Sequence, residues 1–226
     1  MDINTKFYSQ ANQDRWVCEI FKNKKGGFFL DLGAMDGVQY SNTYTLEKEL
    51  NWSGICVEAS TPSFQQLSLS RESINVHAAV TNYNGTCFAD GDGPCVTISS
   101  TGVNEVNCFT LGKLLEDTNA PKEIDYLSID IEGEEYNVLS CFDFDKWFIK
   151  TITLEHNLYV DGPKNKDLLH KLLTEKGFIR VIDNVVCLDR SPHVYNQPYE
   201  DWYVNSKCED ILNDVNSRVQ PINKNY

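Results

Sequence analysis

Short apolar, β-branched runs alternate along the chain with segments whose apolar residues recur at helical spacing. The run Gly27-Phe28-Phe29-Leu30-Asp31-Leu32 is apolar at nearly every position, the pattern of a strand buried on both faces. Leu46 and Leu50 lie four apart and predict a helix. Ile55-Cys56-Val57-Glu58 predicts a second strand and Pro62 to Leu69 a helix; Asn75 to Val80 predicts a third strand. Ile124 to Ile129 predicts a fourth strand, followed by a helix through Leu139. Lys150 to Leu154 predicts a fifth, followed by a helix over Asp167 to Lys176. Phe178 to Val181 and Val185 to Leu188 read as a closing pair of strands. This alternation predicts an α/β fold, a mostly parallel sheet with helices on both faces. Asn84 to Asn107 breaks the rhythm with Gly85, Gly91, Gly93, Pro94 and Gly102, and reads as a loop or hairpin insertion. Asn213 to Tyr226 is polar and is expected to fray. The expected organisation is one domain over residues 1–226, with an N-terminal cap over about 1–25 and a variable insertion over about 84–107.

Composition narrows the function classes. The 226 residues carry a formal net charge of -13, and 41% are apolar. That is enough apolar material for a real core and too much for a disordered chain. No apolar run approaches the roughly 18 residues of a membrane span. The N-terminal MDINTKFYSQANQD has no hydrophobic signal core, so the expected location is the cytoplasm. A pI of about 4.7 argues against nucleic acid as a partner, because phosphate neutralisation needs a basic surface. The short basic run Lys22-Asn23-Lys24-Lys25 reads as the solvated end of a helix. None of the eight cysteines forms a CxxC pair, and runs such as Ile55-Cys56-Val57 place them in strands. They read as buried thiols in a reducing compartment, with a Cys87–Cys95 disulfide as the alternative.

In open α/β sheets, ligands bind beyond the carboxyl ends of the strands, so the residues there carry the candidate chemistry. The first strand ends in Asp31-Leu-Gly-Ala-Met-Asp-Gly37, where Gly33 and Gly37 allow a tight turn and close backbone approach. This is not a GxGxxG turn, and Asp31 and Asp36 would repel a pyrophosphate. Ser41-Asn42-Thr43 offers a helix cap. The second strand ends in Glu58, whose carboxylate suits a ribose diol. A phosphate-free glycine turn followed by a ribose acid fits a nucleoside such as S-adenosylmethionine. The fourth strand ends in Asp130-Ile-Glu132-Gly-Glu-Glu135, in which Glu134 and Glu135 read as helix-opening carboxylates. The fifth ends in Glu155-His156-Asn157. Asp130, Glu132, Glu155 and His156 are therefore expected on one rim. There they could act as a general-base cluster for an acceptor hydroxyl or as ligands of a divalent metal.

At these residues the chain resembles the FkbM-type family of S-adenosylmethionine-dependent methyltransferases. The resemblance runs from about Phe7 to Tyr203 through YSQANQD, the block from Gly26 to Ser60, IDYLSIDIEGEEYNVL and ITLEHN. It implies the Rossmann-like class I methyltransferase fold, a seven-stranded sheet whose last strand is antiparallel. It implies O-methylation of sugar hydroxyls in glycans or glycosylated metabolites. It places the cofactor at the Asp31–Gly37 turn, including Gly33 and Asp36, and at Glu58, with Gln10, Asp14 and Asn42 lining the cleft. Adenine is expected around Ala79, and Asp130 also belongs to the cofactor side. Asp130, Glu155 and His156 are the expected catalytic residues, with Asp130, Glu132, Glu155 and His156 as metal candidates. A divalent ion is possible, though no tightly bound one is expected. Acceptor recognition is expected from Asn84 to Gly102 and from a loop over Tyr195 to Tyr203, within a C-terminal half crowded with Trp147, Tyr159, Tyr199 and Trp202. The rival readings are a methyltransferase-fold binding domain without turnover, and a methyltransferase acting on nucleic acid or protein.

Overall fold

The computed structural model describes residues 5–91, 96–187 and 197–219. In chain order the elements are α1 (Gln13–Ile20), β1 (Phe28–Leu32), α2 (Tyr44–Leu50), β2 (Ser53–Glu58), α3 (Thr61–Ser70), β3 (Ile74–His77), β4 (Ala79–Val80), β5 (Gly85–Asp90), β6 (Thr97–Ser99) and β7 (Glu105–Phe109). They continue with α4 (Leu111–Asp117), β8 (Glu123–Ile129), α5 (Glu135–Ser140), β9 (Phe148–Glu155), α6 (Leu158–Asp161), α7 (Pro163–Glu175), β10 (Phe178–Val186), β11 (Pro198–Asn205) and α8 (Glu209–Val219).

Seven strands form one sheet in the order β10-β11-β9-β8-β1-β2-β3. The five strands from β9 to β3 run parallel, and β11 is antiparallel to both β9 and β10. The sheet is the mostly parallel one that the apolar runs predict, with its last strand reversed. Chain order turns back between β1 and β8, so the crevice of the topological switch lies at their carboxyl ends. Successive side chains of a strand serve opposite faces. In β1, Leu30 and Leu32 join a core that includes Leu111 and Leu115 of α4, Val138 and Leu139 of α5, and Leu169 and Leu173 of α7. Phe29 faces the other way, into a core with Trp16 and Val17 of α1, Leu46 and Leu50 of α2, and Leu67 of α3. No helix among the described residues is long and apolar enough to cross a membrane.

Several local expectations are corrected. The run Asn75 to Val80 is two strands. β3 pairs with β2, and after Ala78, whose N–H donates to the Glu58 carbonyl, β4 pairs instead with β7. Nothing in six consecutive strand-forming residues marks where the hydrogen-bonding partner changes. The expected closing pair over Phe178 to Leu188 is the single irregular strand β10, as far as it is described. Its true partner is β11, in a segment that had been expected to be a loop. Pro198 is the first residue of β11, where a missing N–H does no harm. Tyr195 lies outside the described residues. The expected fraying from Asn213 is corrected as far as Val219, because α8 runs that far; the residues beyond lie outside those described. The inserted segment is a second sheet, ordered β4-β7-β5-β6, with Cys87, Ala89, Val106 and Cys108 buried on one face.

Cys18, Cys56, Cys87, Cys108 and Cys187 are buried free thiols, and Cys208 is partly covered. Burial pushes Cys18 and Cys56 up to about 12, so neither is a nucleophile. Cys141 is exposed, contrary to the expectation of burial, because it caps the end of α5. Cys95 lies outside the described residues.

Candidate active site

The carboxyl ends of β1, β2, β8 and β9 open on a cleft of about 200 Å³. Its glycine turn is dictated by close approach. Gly33 has φ +85°, and a Cβ there would stand 1.8 Å from the Asp130 carbonyl oxygen, so no other residue lets the β1 and β8 ends meet. Asp31 is buried, and its Oδ2 accepts a 2.6 Å hydrogen bond from Thr43 Oγ1. Burial raises the Asp31 carboxyl, while the Arg71 guanidinium pulls against that rise. At the end of β2, Glu58 Oε2 accepts from Met35 N at 2.9 Å and Oε1 accepts from Ser60 N at 2.7 Å. Glu58 thereby staples the glycine turn to β2, and the backbone donors that reach it still leave acceptor capacity on its carboxylate. Burial holds its carboxyl above the ordinary range. Asn42 donates to Ser128 Oγ at 3.0 Å, and its buried Oδ1 has no partner.

The other end of the cleft is acidic. Carboxylate oxygens of Asp130, Glu132 and Glu155 all lie within 4.8 Å of one another. Such crowding cannot be fully ionised in a low-dielectric site. Asp130 and Glu155 share a hydrogen bond that favours a proton on Glu155. Burial first, and Asp130 next, push Glu155 well above the carboxylate range, and the same two causes push Glu132 up to about 8. Asn157 donates to Glu155 Oε2 at 3.1 Å and fixes its orientation. The trio could hold a divalent cation, or it could accept a proton from a hydroxyl.

Of the residues singled out in the sequence, Gln10, Asp31, Gly33, Asn42, Glu58, Ala79, Asp130, Glu132 and Glu155 line this cleft. Asp14, Asp36, Gly37 and His156 are not among the lining residues, and each has a structural task. Asp14 is fully buried and accepts from Tyr8 N, Ser9 Oγ, Arg15 N and Thr45 Oγ1, tying the N-terminal segment to α2. Asp36 accepts from the N–H groups of Val38 and Gln39. At Gly37 a Cβ would strike Arg71 and Leu67 at 2.7 Å. His156 turns away from the carboxylate trio, with Nε2 3.4 Å from Asp201 and Nδ1 accepting from Leu158 N.

A family model described as "Methyltransferase FkbM domain" matches residues 31–180, more than half of the chain and all four strand ends of the cleft. The chain belongs to the FkbM methyltransferase family. The methyltransferase FkbM of Methylobacillus flagellatus aligns with it at a TM-score of 0.51 and 12% identity, over 84% of this chain and 47% of that one. The chain thus spans about half the length of that structure. The precorrin-6y C5,15-methyltransferase of Geobacter metallireducens aligns at a TM-score of 0.51 and 11% identity, over 85% of this chain and 87% of that one. At these identities the likeness is one of fold. No curated protein matches the sequence.

Three groups of this FkbM domain escaped the sequence reading. Arg71, at the end of α3, is buried, and its guanidinium reaches Glu47 Oε2 at 2.9 Å, Gly37 O at 3.1 Å, Ser41 Oγ at 3.3 Å and Thr43 Oγ1 at 2.9 Å. It sets the whole loop from the glycine turn to α2. Glu135 is not merely a helix opener. It is fully buried, and its Oε1 accepts from Ile131 N and Gly133 N, which pins the turn carrying Glu132. Gln13 of α1 donates to Tyr199 Oη at 2.8 Å and to buried Glu200 at 3.0 Å, linking the N-terminal segment to β11. Tyr199 and Tyr159 are the aromatics of the C-terminal half that line the cleft, while Trp147, Trp202 and Tyr203 are core. Arg71 and Gln13 find their partners on elements far away in the chain, which leaves no local signal in sequence.

Proposed function

We propose that the chain is an S-adenosylmethionine-dependent O-methyltransferase whose acceptor is a sugar hydroxyl of a glycan or glycosylated metabolite. The observation that carries this reading is one cleft holding both a nucleoside-compatible turn and a protonatable carboxylate trio. The residues present fit the cofactor. Glu58 keeps acceptor capacity for a ribose hydroxyl, the orphaned Asn42 Oδ1 awaits a donor, and the clustered carboxylates favour a cation. When bound, S-adenosylmethionine supplies an electrophilic methyl group and leaves as a neutral thioether. Gln10, Asp31, Glu58 and Asn42 would hold it. Asp130 and Glu155, which share a hydrogen bond on the acidic rim, are the groups placed to take the acceptor's proton. Glu132 and Glu155 close the acidic rim around that transfer. Tyr159 and Tyr199 offer rings at the cleft, and an aromatic face suits the apolar face of a sugar. The acidic protein as a whole disfavours a phosphodiester acceptor.

Incubation with methyl-labelled S-adenosylmethionine and panels of glycosylated small molecules, RNA and protein tests the reading. Label transferred to a hydroxyl of a sugar supports it. Label on RNA or protein alone, or no calorimetric binding of S-adenosylhomocysteine, refutes it.

A further inference from the structure

Gln13, the first residue of α1, is buried between the N-terminal segment and β11, and its amide can face only one way. The Ala11 N–H donates to Gln13 Oε1 at 2.9 Å, and a backbone N–H needs an oxygen to receive it. Nε2 therefore faces β11. One of its hydrogens goes to Tyr199 Oη at 2.8 Å and the other to Glu200 Oε2 at 3.0 Å. An amide nitrogen only donates, so the Tyr199 hydroxyl must accept this bond, and its own hydrogen is left over. Among the described residues no atom takes that hydrogen, although Tyr199 is only 3% exposed. Tyr199 lines the cleft. Its carbonyl accepts from His156 N at 2.8 Å, which sets it beside the end of β9, and the next residue, Glu200, stands opposite Glu155 in the register. Burial, Glu200 and Asp130 together hold the phenol well above its ordinary range, so the hydroxyl keeps its hydrogen.

The carboxylate trio accepts hydrogens, and Tyr199 offers one in the same cleft. A reacting hydroxyl gives its proton to a carboxylate and a lone pair to the methyl group. A further donor on that oxygen would weaken it as a nucleophile. The Tyr199 hydrogen therefore suits a second oxygen of the same acceptor. We propose that Gln13 is a positioning residue, which makes the Tyr199 hydroxyl a fixed hydrogen donor to a second oxygen of the acceptor, so that the cleft selects a polyhydroxylated ring over a simple alcohol. Gln13 touches no ligand and acts only through Tyr199. This inference deepens the sugar-hydroxyl reading above and rests on it.

The test is transfer of labelled methyl to p-nitrophenyl glucoside, galactoside, mannoside and fucoside, followed by the monodeoxy analogues of the glycoside that reacts best. Tyr199→Phe keeps the ring and removes the hydrogen. The expected result is a KM for that glycoside about five- to tenfold higher, with kcat within about twofold, the worth of one neutral hydrogen bond lost from ground and transition state alike. One monodeoxy analogue carries the same penalty on the unaltered protein and none beyond it on Tyr199→Phe. Two variants address Gln13. Gln13→Met removes the donor, and Gln13→Glu keeps the shape but takes the Tyr199 hydrogen for itself. Both raise KM, and neither adds to the loss when combined with Tyr199→Phe. S-adenosylhomocysteine binds every variant as it binds the unaltered protein in calorimetry, and thermal melting checks that each is folded. An unchanged KM for Tyr199→Phe, no penalised monodeoxy analogue, or Gln13 losses that add to that of Tyr199→Phe overturns the inference while methyl transfer to the sugar stands. Transfer to none of these glycosides, with S-adenosylhomocysteine still bound, overturns the sugar reading itself.

Discussion

Replacing Glu135 with glutamine should make the ligand-free protein more stable at alkaline pH. Glu135 is fully buried, and its Oε1 holds the turn through Ile131 N and Gly133 N, while Oε2 is buried with no partner. Burial, with Asp130 adding to it, pushes the carboxyl from an ordinary 4.5 up to about 7. A carboxyl raised on folding binds its proton more tightly in the native state. Stability therefore falls as pH rises from the unfolded value through the folded one, and the full cost is present above both. For a carboxyl moved from 4.5 to about 7, that cost is about 3 kcal/mol at pH ~8 and nearly absent below pH ~4.5. Glutamine keeps the accepting oxygen and cannot ionise. Thermal melting across pH ~5 to ~8 should show Glu135→Gln gaining on the unaltered protein as pH rises, by about 5–10 °C at the alkaline end. At the acid end it should gain nothing, because the protonated carboxyl is there as neutral as the amide and carries a buried donor of its own. Parallel pH profiles for the two proteins, or a variant that is less stable at pH ~8, would refute the reasoning.

Other consequences are as direct. Asp130→Asn should bind S-adenosylhomocysteine within about threefold of the unaltered protein yet lose transfer by about 10²–10⁴, measured with labelled cofactor; normal turnover removes Asp130 from the proton path. Glu58→Gln should weaken S-adenosylhomocysteine in calorimetry by about ten- to a hundredfold, the worth of a hydrogen bond to a charged group. Arg71→Met should cost about 3–5 kcal/mol in denaturant unfolding, because Asp31 would stay buried without its counter-charge and Glu47 would keep only Lys48. Dialysis against a chelator should leave cofactor affinity and transfer intact. Lost activity that Mg²⁺ restores would assign Asp130, Glu132 and Glu155 as metal ligands instead.

The strand ends were legible because burial on both faces writes itself as contiguous apolar runs, and the residue after such a run must lie at the sheet's rim. Glu58, Asp130 and Glu155 follow that rule, Asp31 stands one residue before the end of its run, and all four line the cleft. His156 follows it too, yet it sits one residue past Glu155 on the opposite face of the strand, where Asp201 receives it. Asp14 shares a motif with Gln10, but a helix start turns its carboxylate into the protein to satisfy three local donors and Thr45 of α2. Strand β11 stayed hidden because Glu200 and Asp201 look like surface residues. Gln13 and Trp202 satisfy the first, and Arg180 and Asn184 the second.

By itself, the sequence determined the layered sheet, the candidate carboxylates and the glycine turn, since hydrophobic period and backbone freedom are properties of neighbouring residues. Only the tertiary structure decided which carboxylates crowd within one cleft, where β11 enters between β9 and β10, and what Arg71 and Glu135 hold. It alone brought Gln13 to Tyr199. Those outcomes depend on pairings between residues far apart in the chain, and a hydrogen bond or an apolar contact made at that distance leaves no periodic trace in the residues that form it.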